Sequence, residues 1–144
     1  MKHLHAAIIA MLALLSMVAG SAAAQTSPGT TAPLNRIVFQ INEDDPRKWN
    51  TVLANINNVQ EELGKVEVAV VLIGPALGMI KFDALTATKV QDAIAAGARF
   101  VACGNSMKAQ GLTKDDMIDR IDIARAGYVE LMRLQQLGWT YLRP

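Results

Sequence analysis

The sequence predicts an α/β domain in which a parallel sheet is covered by helices on both faces. Three observations predict it. Segments of strand type alternate with segments of helix type along the chain. Residues 66–73 are nearly continuous Val, Ala, Leu and Ile, with Glu67 the one charge; a strand apolar on both faces is buried on both, as parallel strands are. Trp49, Val52, Leu53, Ile56, Val59 and Leu63 recur at spacings of three and four, which is one apolar face of a helix. Such alternation places a sheet between two layers of helices.

The elements follow in order. Residues 1–24 read as an export leader, with Lys2 near the start, an uncharged stretch over 6–20 and the small residues Ser21, Ala22, Ala23 and Ala24 before Gln25. The stretch is shorter than the ~18 to 20 residues of a spanning helix. Cleavage there implies a periplasmic or secreted protein, free of the membrane. Residues 25–34 form a tether rich in Thr, Ser, Pro and Gly, and 35–144 form the folded domain.

Residues 36–41 are a β-type run. Asp45 suits a helix cap and Pro46 a first helical turn, where no N–H is needed. The first helix runs to Gly64, a natural stop. After the strand at 66–73, Gly74 and Pro75 end the run, and 76–82 is an apolar loop or short helix. Residues 86–96 are a helix, 99–103 a third strand and 105–110 a short helix. Thr113 to Asp116 resembles a capping box opening another short helix. A strand at 121–126, a helix at 128–136 and a strand at 139–142 complete the chain.

Composition narrows the chemistry. His3 and His5 are the only histidines, and both lie in the leader. A cleaved chain has no Ser-His-Asp triad, no Cys-His pair and no His-ligated zinc or haem. Loss of Lys2 leaves 13 basic residues against 13 acidic ones. A neutral domain without a basic run carries no electrostatic footprint for nucleic acid or an anionic membrane. Cys103 is the single cysteine, so there is no disulfide framework and no Cys-rich metal centre. No metal and no cofactor is expected.

Sites in open α/β sheets form at the carboxyl ends of strands. Cys103 falls there, at the end of the third strand and the turn into the next helix. The N–H groups of Asn105, Ser106 and Met107 are expected to point at that turn, where a helix start favours negative charge. Such surroundings lower a thiol pKa from ~8.5 to roughly 3.5–7.5. Gly104, Asn105, Ser106 and Lys108, with Gly74 at the neighbouring strand end, are the candidate binding or thiolate-stabilising residues. A buried structural cysteine is the competing reading, since free Cys is among the most buried residue types.

Other motifs read as structural. Glu43, Asp44 and Asp45 are expected to form a solvated helix cap. The 74–78 segment lacks the Gly-Lys-Ser/Thr ending of a phosphate loop. Asp115, Asp116, Asp119 and Asp122 are expected at the surface. Met79, Met107, Met117 and Met132 are expected in the core or an interface, and Tyr128 and Trp139 are expected to pack.

The stretch Cys103-Gly104-Asn105-Ser106-Met107-Lys108-Ala109 resembles the DsrE-like (DsrE/DsrF/TusD-like) sulfur-relay family, in particular its small exported members. Arg36 to Gln40, Lys48-Trp49-Asn50, Ile73-Gly74-Pro75 and Tyr128 to Tyr141 extend the resemblance over 35–144. It implies a three-layer α/β/α fold with a mainly parallel sheet of about five strands, and homo-oligomers, often trimers or hexamers. It also implies that Cys103 carries sulfur as a persulfide between a donor and an acceptor thiol. The chain departs from some members in having Ser106 where they carry a second Cys.

Three functions are therefore open. In the first, Cys103 is the nucleophile of a sulfur carrier or sulfurtransferase-like protein, for which a thiolate needs no histidine. In the second, the chain is a non-enzymatic oligomeric module that binds a small ligand or partner protein. In the third, Cys103 is a redox sensor that pairs with another chain or a small thiol.

Overall fold

The computed structural model describes residues 34–144. The leader expected over 1–24, and all of the expected tether except Leu34, lie outside the described residues.

Alternation of strand and helix is realised throughout. The elements are β1 (Asn35–Ile41), α1 (Pro46–Leu63), β2 (Val66–Leu72), a 3-10 helix (Gly74–Ile80), α2 (Ala87–Ala95), β3 (Arg99–Cys103), α3 (Gly104–Ala109), a 3-10 turn (Lys114–Asp116), β4 (Asp122–Ala124), α4 (Gly127–Gln136) and β5 (Thr140–Leu142). The five strands form one sheet in the order β4-β3-β2-β1-β5. Every pairing is parallel.

Local chemistry sets the boundaries. Asp45 caps α1 by accepting the Arg47 N–H at 2.9 Å, with Pro46 in the first turn. The expected capping box is present: Thr113 and Asp116 close the 3-10 turn, with the Thr113 N–H donating to Asp116 Oδ2 at 2.7 Å. The strands at 121–126 and 139–142 are shorter than expected, each three residues long. Both are edge strands, with one partner instead of two, and short edges limit unwanted pairing.

Side chains alternate across each strand, which gives the sheet two cores. Phe39, Ile41, Val68, Val70, Leu72, Phe100 and Ala102 face α1, α2, α3, the first 3-10 helix and the Met117, Ile118 and Ile121 side chains. Val38, Ala69, Val71, Ile73, Val101 and Cys103 face the other way, against Leu131 and Leu134 of α4. The division follows from handedness. Parallel crossovers are right-handed. The steps β1 to β2, β2 to β3 and β3 to β4 all move in one direction, so their connections share one face. The step from β4 back to β5 crosses the sheet in the opposite direction, so α4 lies alone on the other face. The result is a three-layer domain with one thick side and one thin side.

Trp139 packs against the thin-side core. Tyr128 does not pack as expected: it is 61% exposed, because it stands on the first turn of α4, beyond the strand ends, where Asn42 Nδ2 donates to its hydroxyl at 2.9 Å. Met79, Met107 and Met117 are buried, while Met132 is half exposed on α4.

Candidate functional site

Cys103 ends β3 with its side chain on the thin side, in line with Val101. It is 4% exposed. The chain then turns into α3, with Cys103 as the residue before the first helical turn.

A second helix joins the expected one in holding the sulfur. The Gly127 N–H, at the start of α4, donates to Cys103 Sγ at 3.2 Å. Position 127 permits this because it has no side chain. A Cβ there would lie 2.6 Å from Ile73 Cγ1 and 3.1 Å from Cys103 Cβ. A larger residue would lift α4 off the sulfur. Ala126, before Gly127, has no side chain able to cap the helix. Cys103 Sγ stands where a capping acceptor would, at the positive end of a ten-residue helix.

Ser106 is the second partner. Its Oγ accepts the Gly74 N–H at 2.9 Å, which leaves the hydroxyl proton to donate to the sulfur. Gln110 Nε2 donates to the Gly74 carbonyl at 2.8 Å. Gly74 therefore anchors α3 to the end of β2 and orients Ser106. Asn105 is placed differently from the expectation. Its N–H donates to the Arg125 carbonyl at 3.1 Å, tying α3 to the exit of β4, so it is the weaker donor toward sulfur. Gly104 packs against that exit: a Cβ there would lie 3.3 Å from the Ala124 carbonyl oxygen. Lys108 is exposed in the last turn of α3 and is not among the groups acting on the thiol.

These contacts set the acidity of the thiol. Burial pushes its pKa up, because a charged sulfur loses water. The Ser106 hydroxyl and the N–H groups of Gly127, Ser106 and Asn105 outweigh that and hold it below the ordinary thiol range. A thiolate so stabilised is a nucleophile without a histidine.

The acidic run after β1 is structural, as expected. Glu43 accepts the Asn42 N–H at 3.1 Å and pairs with Lys48 at 3.3 Å and Arg143 at 3.2 Å. The Asn42 N–H and these two cations lower its pKa to about 2, against the opposing effect of burial. Among the described residues, no three His, Cys, Asp or Glu side chains are grouped to hold a metal ion.

A second feature on the thin side had little sequence signal. Gln40 is buried at the end of β1 and accepts from the Tyr141 hydroxyl. Its Nε2 donates to Asn42 Oδ1 at 2.9 Å, and Asn42 in turn holds Tyr128. Gln40 and Tyr141 line one side of an open groove of about 520 Å³ whose other side is α4, with Tyr128, Met132 and Gln135. A polar Gln inside a β-type run was the one visible hint.

Comparison with known proteins agrees with the architecture. The model of the DsrE/DsrF-like family matches residues 35–144. No curated protein gives a match. Among solved structures, the chain is similar to the protein of unknown function MTH1491 from Methanobacterium thermoautotrophicum. The two are 31% identical over 76% of this chain and 99% of that one, with a TM-score of 0.75. It also shares its fold with the conserved protein of unknown function BT1422 from Bacteroides thetaiotaomicron, at 14% identity, 76% and 95% coverage and a TM-score of 0.65. The ychN protein of E. coli is a further fold neighbour, at 16% identity, 76% and 99% coverage and a TM-score of 0.60.

Proposed function

The chain belongs to the DsrE/DsrF-like family, and on that premise we propose that it is a sulfur carrier acting through Cys103. One observation carries the reading: the sulfur sits at the N-terminus of α4, bonded by the Gly127 N–H, with the thiol pKa lowered. That arrangement favours the thiolate, which is the form that attacks sulfane sulfur.

The chemistry balances without an oxidant. The Cys103 thiolate attacks the outer sulfur of a donor persulfide. A new sulfur–sulfur bond forms on Cys103 while the donor's breaks, and the donor thiolate leaves with the electron pair. An acceptor thiolate then attacks the outer sulfur of the Cys103 persulfide and releases the Cys103 thiolate. Gly127 and Ser106 stabilise the anion at the start and end of this cycle. The 1–24 leader supports placing the work in the periplasm or outside the cell, and the family resemblance supports a homo-oligomer.

Intact mass tests the reading. The full chain is incubated with thiosulfate or polysulfide and weighed with and without reductant, beside Cys103→Ser. The expected result is a reductant-reversible gain of sulfur in the wild type and none in the variant. No gain, or an equal gain in Cys103→Ser, would refute it.

The burial of Cys103 favours a second reading, a non-enzymatic binding module in which the sulfur is a helix cap. Under it, the folded protein gains no sulfur and resists a small alkylating agent until it is unfolded.

A further inference from the structure

A cleft of about 360 Å³ lies between β4 and α4, on the thin side. That is the lower end of the range for small-molecule sites. Arg99, Asp122, Ala124, Arg125, Glu130 and Arg133 are among its walls. Arg99 is committed, with Nε 3.7 Å from Asp122 Oδ2 and an NH2 nitrogen 2.9 Å from Glu130 Oε1. Arg125 and Arg133 have no ion-pair partner among the described residues. The cleft thus holds two uncompensated guanidinium groups, which suit carboxylates in a two-pronged geometry.

The cleft runs beside the buried sulfur. Ala124 is the register partner of Cys103 across the β3–β4 pair, which places them about 5 Å apart. Arg125 follows immediately, its backbone fixed by the Asn105 N–H. At the other wall, Gly127 touches Sγ and Arg133 lies six residues further along α4. At 1.5 Å per residue that separation is about 9 Å. A tripeptide extended over three residues spans about 10 Å.

Resting on the sulfur-carrier reading, we propose that this cleft binds a small peptide persulfide through its carboxylates, with Arg125 and Arg133 as the anchoring residues. The sulfur end reaches Cys103 and a terminal carboxylate reaches Arg133. Asp122, exposed beside Arg99, offers an acceptor for an ammonium group. The Cys103 site alone selects only for sulfane sulfur; the cleft adds selection for the body of the donor.

The test separates binding from chemistry. Unreactive S-methylglutathione is titrated by calorimetry into the full chain, into Cys103→Ser and into Arg125→Gln/Arg133→Gln. Both arginines are exposed, so the double variant keeps its fold, checked by circular dichroism. Saturable binding is expected in the first two proteins. In the double variant it should weaken about tenfold, the effect of two exposed charge contacts, and the wild-type affinity should fall with added salt. Loading rates are then read by intact mass with glutathione persulfide and with the uncharged mercaptoethanol persulfide. The double variant should slow only the first. Equal S-methylglutathione binding in wild type and double variant, or none in either, overturns the cleft while mercaptoethanol persulfide still reports on Cys103. Arginine-dependent binding with no loading by either persulfide would instead keep the peptide site and refute the sulfur carrier.

Discussion

The two faces of the sheet are covered unequally. On the thick side, the connections of three crossovers bury Phe100, Leu77, Met79, Ile80 and Ile56 almost completely. On the thin side, α4 alone covers a smaller core, and Tyr128, Met132, Leu137 and Tyr141 remain exposed around it. The thiol, the Gln40 groove and the arginine cleft are all on the thin side. The thick side holds the strands in place; the thin side is where a strand end, two helix starts and solvent meet. The difference teaches that the site follows from the single reversal in strand order, which sends α4 back across the sheet with its N-terminus over β3.

Breaking the thick side should have the largest effect. Phe100→Ala should cost about 3–5 kcal/mol, the usual penalty for an aromatic removed from a closed core, read by urea denaturation. Because Phe100 points away from the sulfur, the fraction that remains folded should keep its lowered thiol pKa.

Gly127→Ala sharpens the comparison from the thin side. Its methyl group would collide with Ile73, at 2.6 Å from Cγ1, so overpacking should cost about 1–3 kcal/mol. Unlike Phe100→Ala, it should also raise the Cys103 pKa, because the displaced N–H no longer meets the sulfur. Ser106→Ala should cost about 1–2 kcal/mol, since it leaves the Gly74 N–H without its acceptor. It should raise the thiol pKa as well. The pH dependence of alkylation reads both shifts.

The thin side should also make stability depend on pH. The Cys103 pKa is lower in the folded protein than in the unfolded chain. The stabilisation is therefore complete above the ordinary thiol value of about 8.5. It is lost as pH falls through the folded value. Cys103→Ser should flatten this part of the stability curve. The smallest effect is expected at Glu43, which bridges Lys48 and Arg143. Its carboxyl is lowered to about 2, so its contribution is present above an ordinary value of about 4.3 and is lost as pH falls toward 2. Its partners are exposed, so Glu43→Gln should cost less than about 1 kcal/mol at neutral pH, seen as a small shift in the denaturation midpoint.

Much of the frame was legible in the sequence. The continuous run at 66–73 announced a doubly buried strand, and the Trp49 to Leu63 spacing announced the helix that covers it. Asp45 and the Thr113–Asp116 pair announced their caps. Cys103 was legible as a strand-end thiol because β3 is apolar from Phe100 onward and stops at Gly104. One of its partners was not. Gly127 is 24 residues away, and its contact depends on α4 lying on the face opposite the other helices. A pattern of local periodicity carries no such information. The direction of Lys108 was not legible for the same reason: six residues of helix fix a rotation only once packed. Tyr128 was misplaced because an aromatic at the start of an apolar helix looks like core when the end of the sheet is unknown.

Titration of the Cys103 thiolate tests the central claim most directly. The ultraviolet absorbance of the thiolate, taken as the difference between the wild type and Cys103→Ser, follows ionisation without requiring a reagent to reach the sulfur. The account predicts an inflection below the ordinary thiol range, moving upward in Gly127→Ala and Ser106→Ala. An inflection at or above the ordinary thiol value in the folded wild type would contradict it.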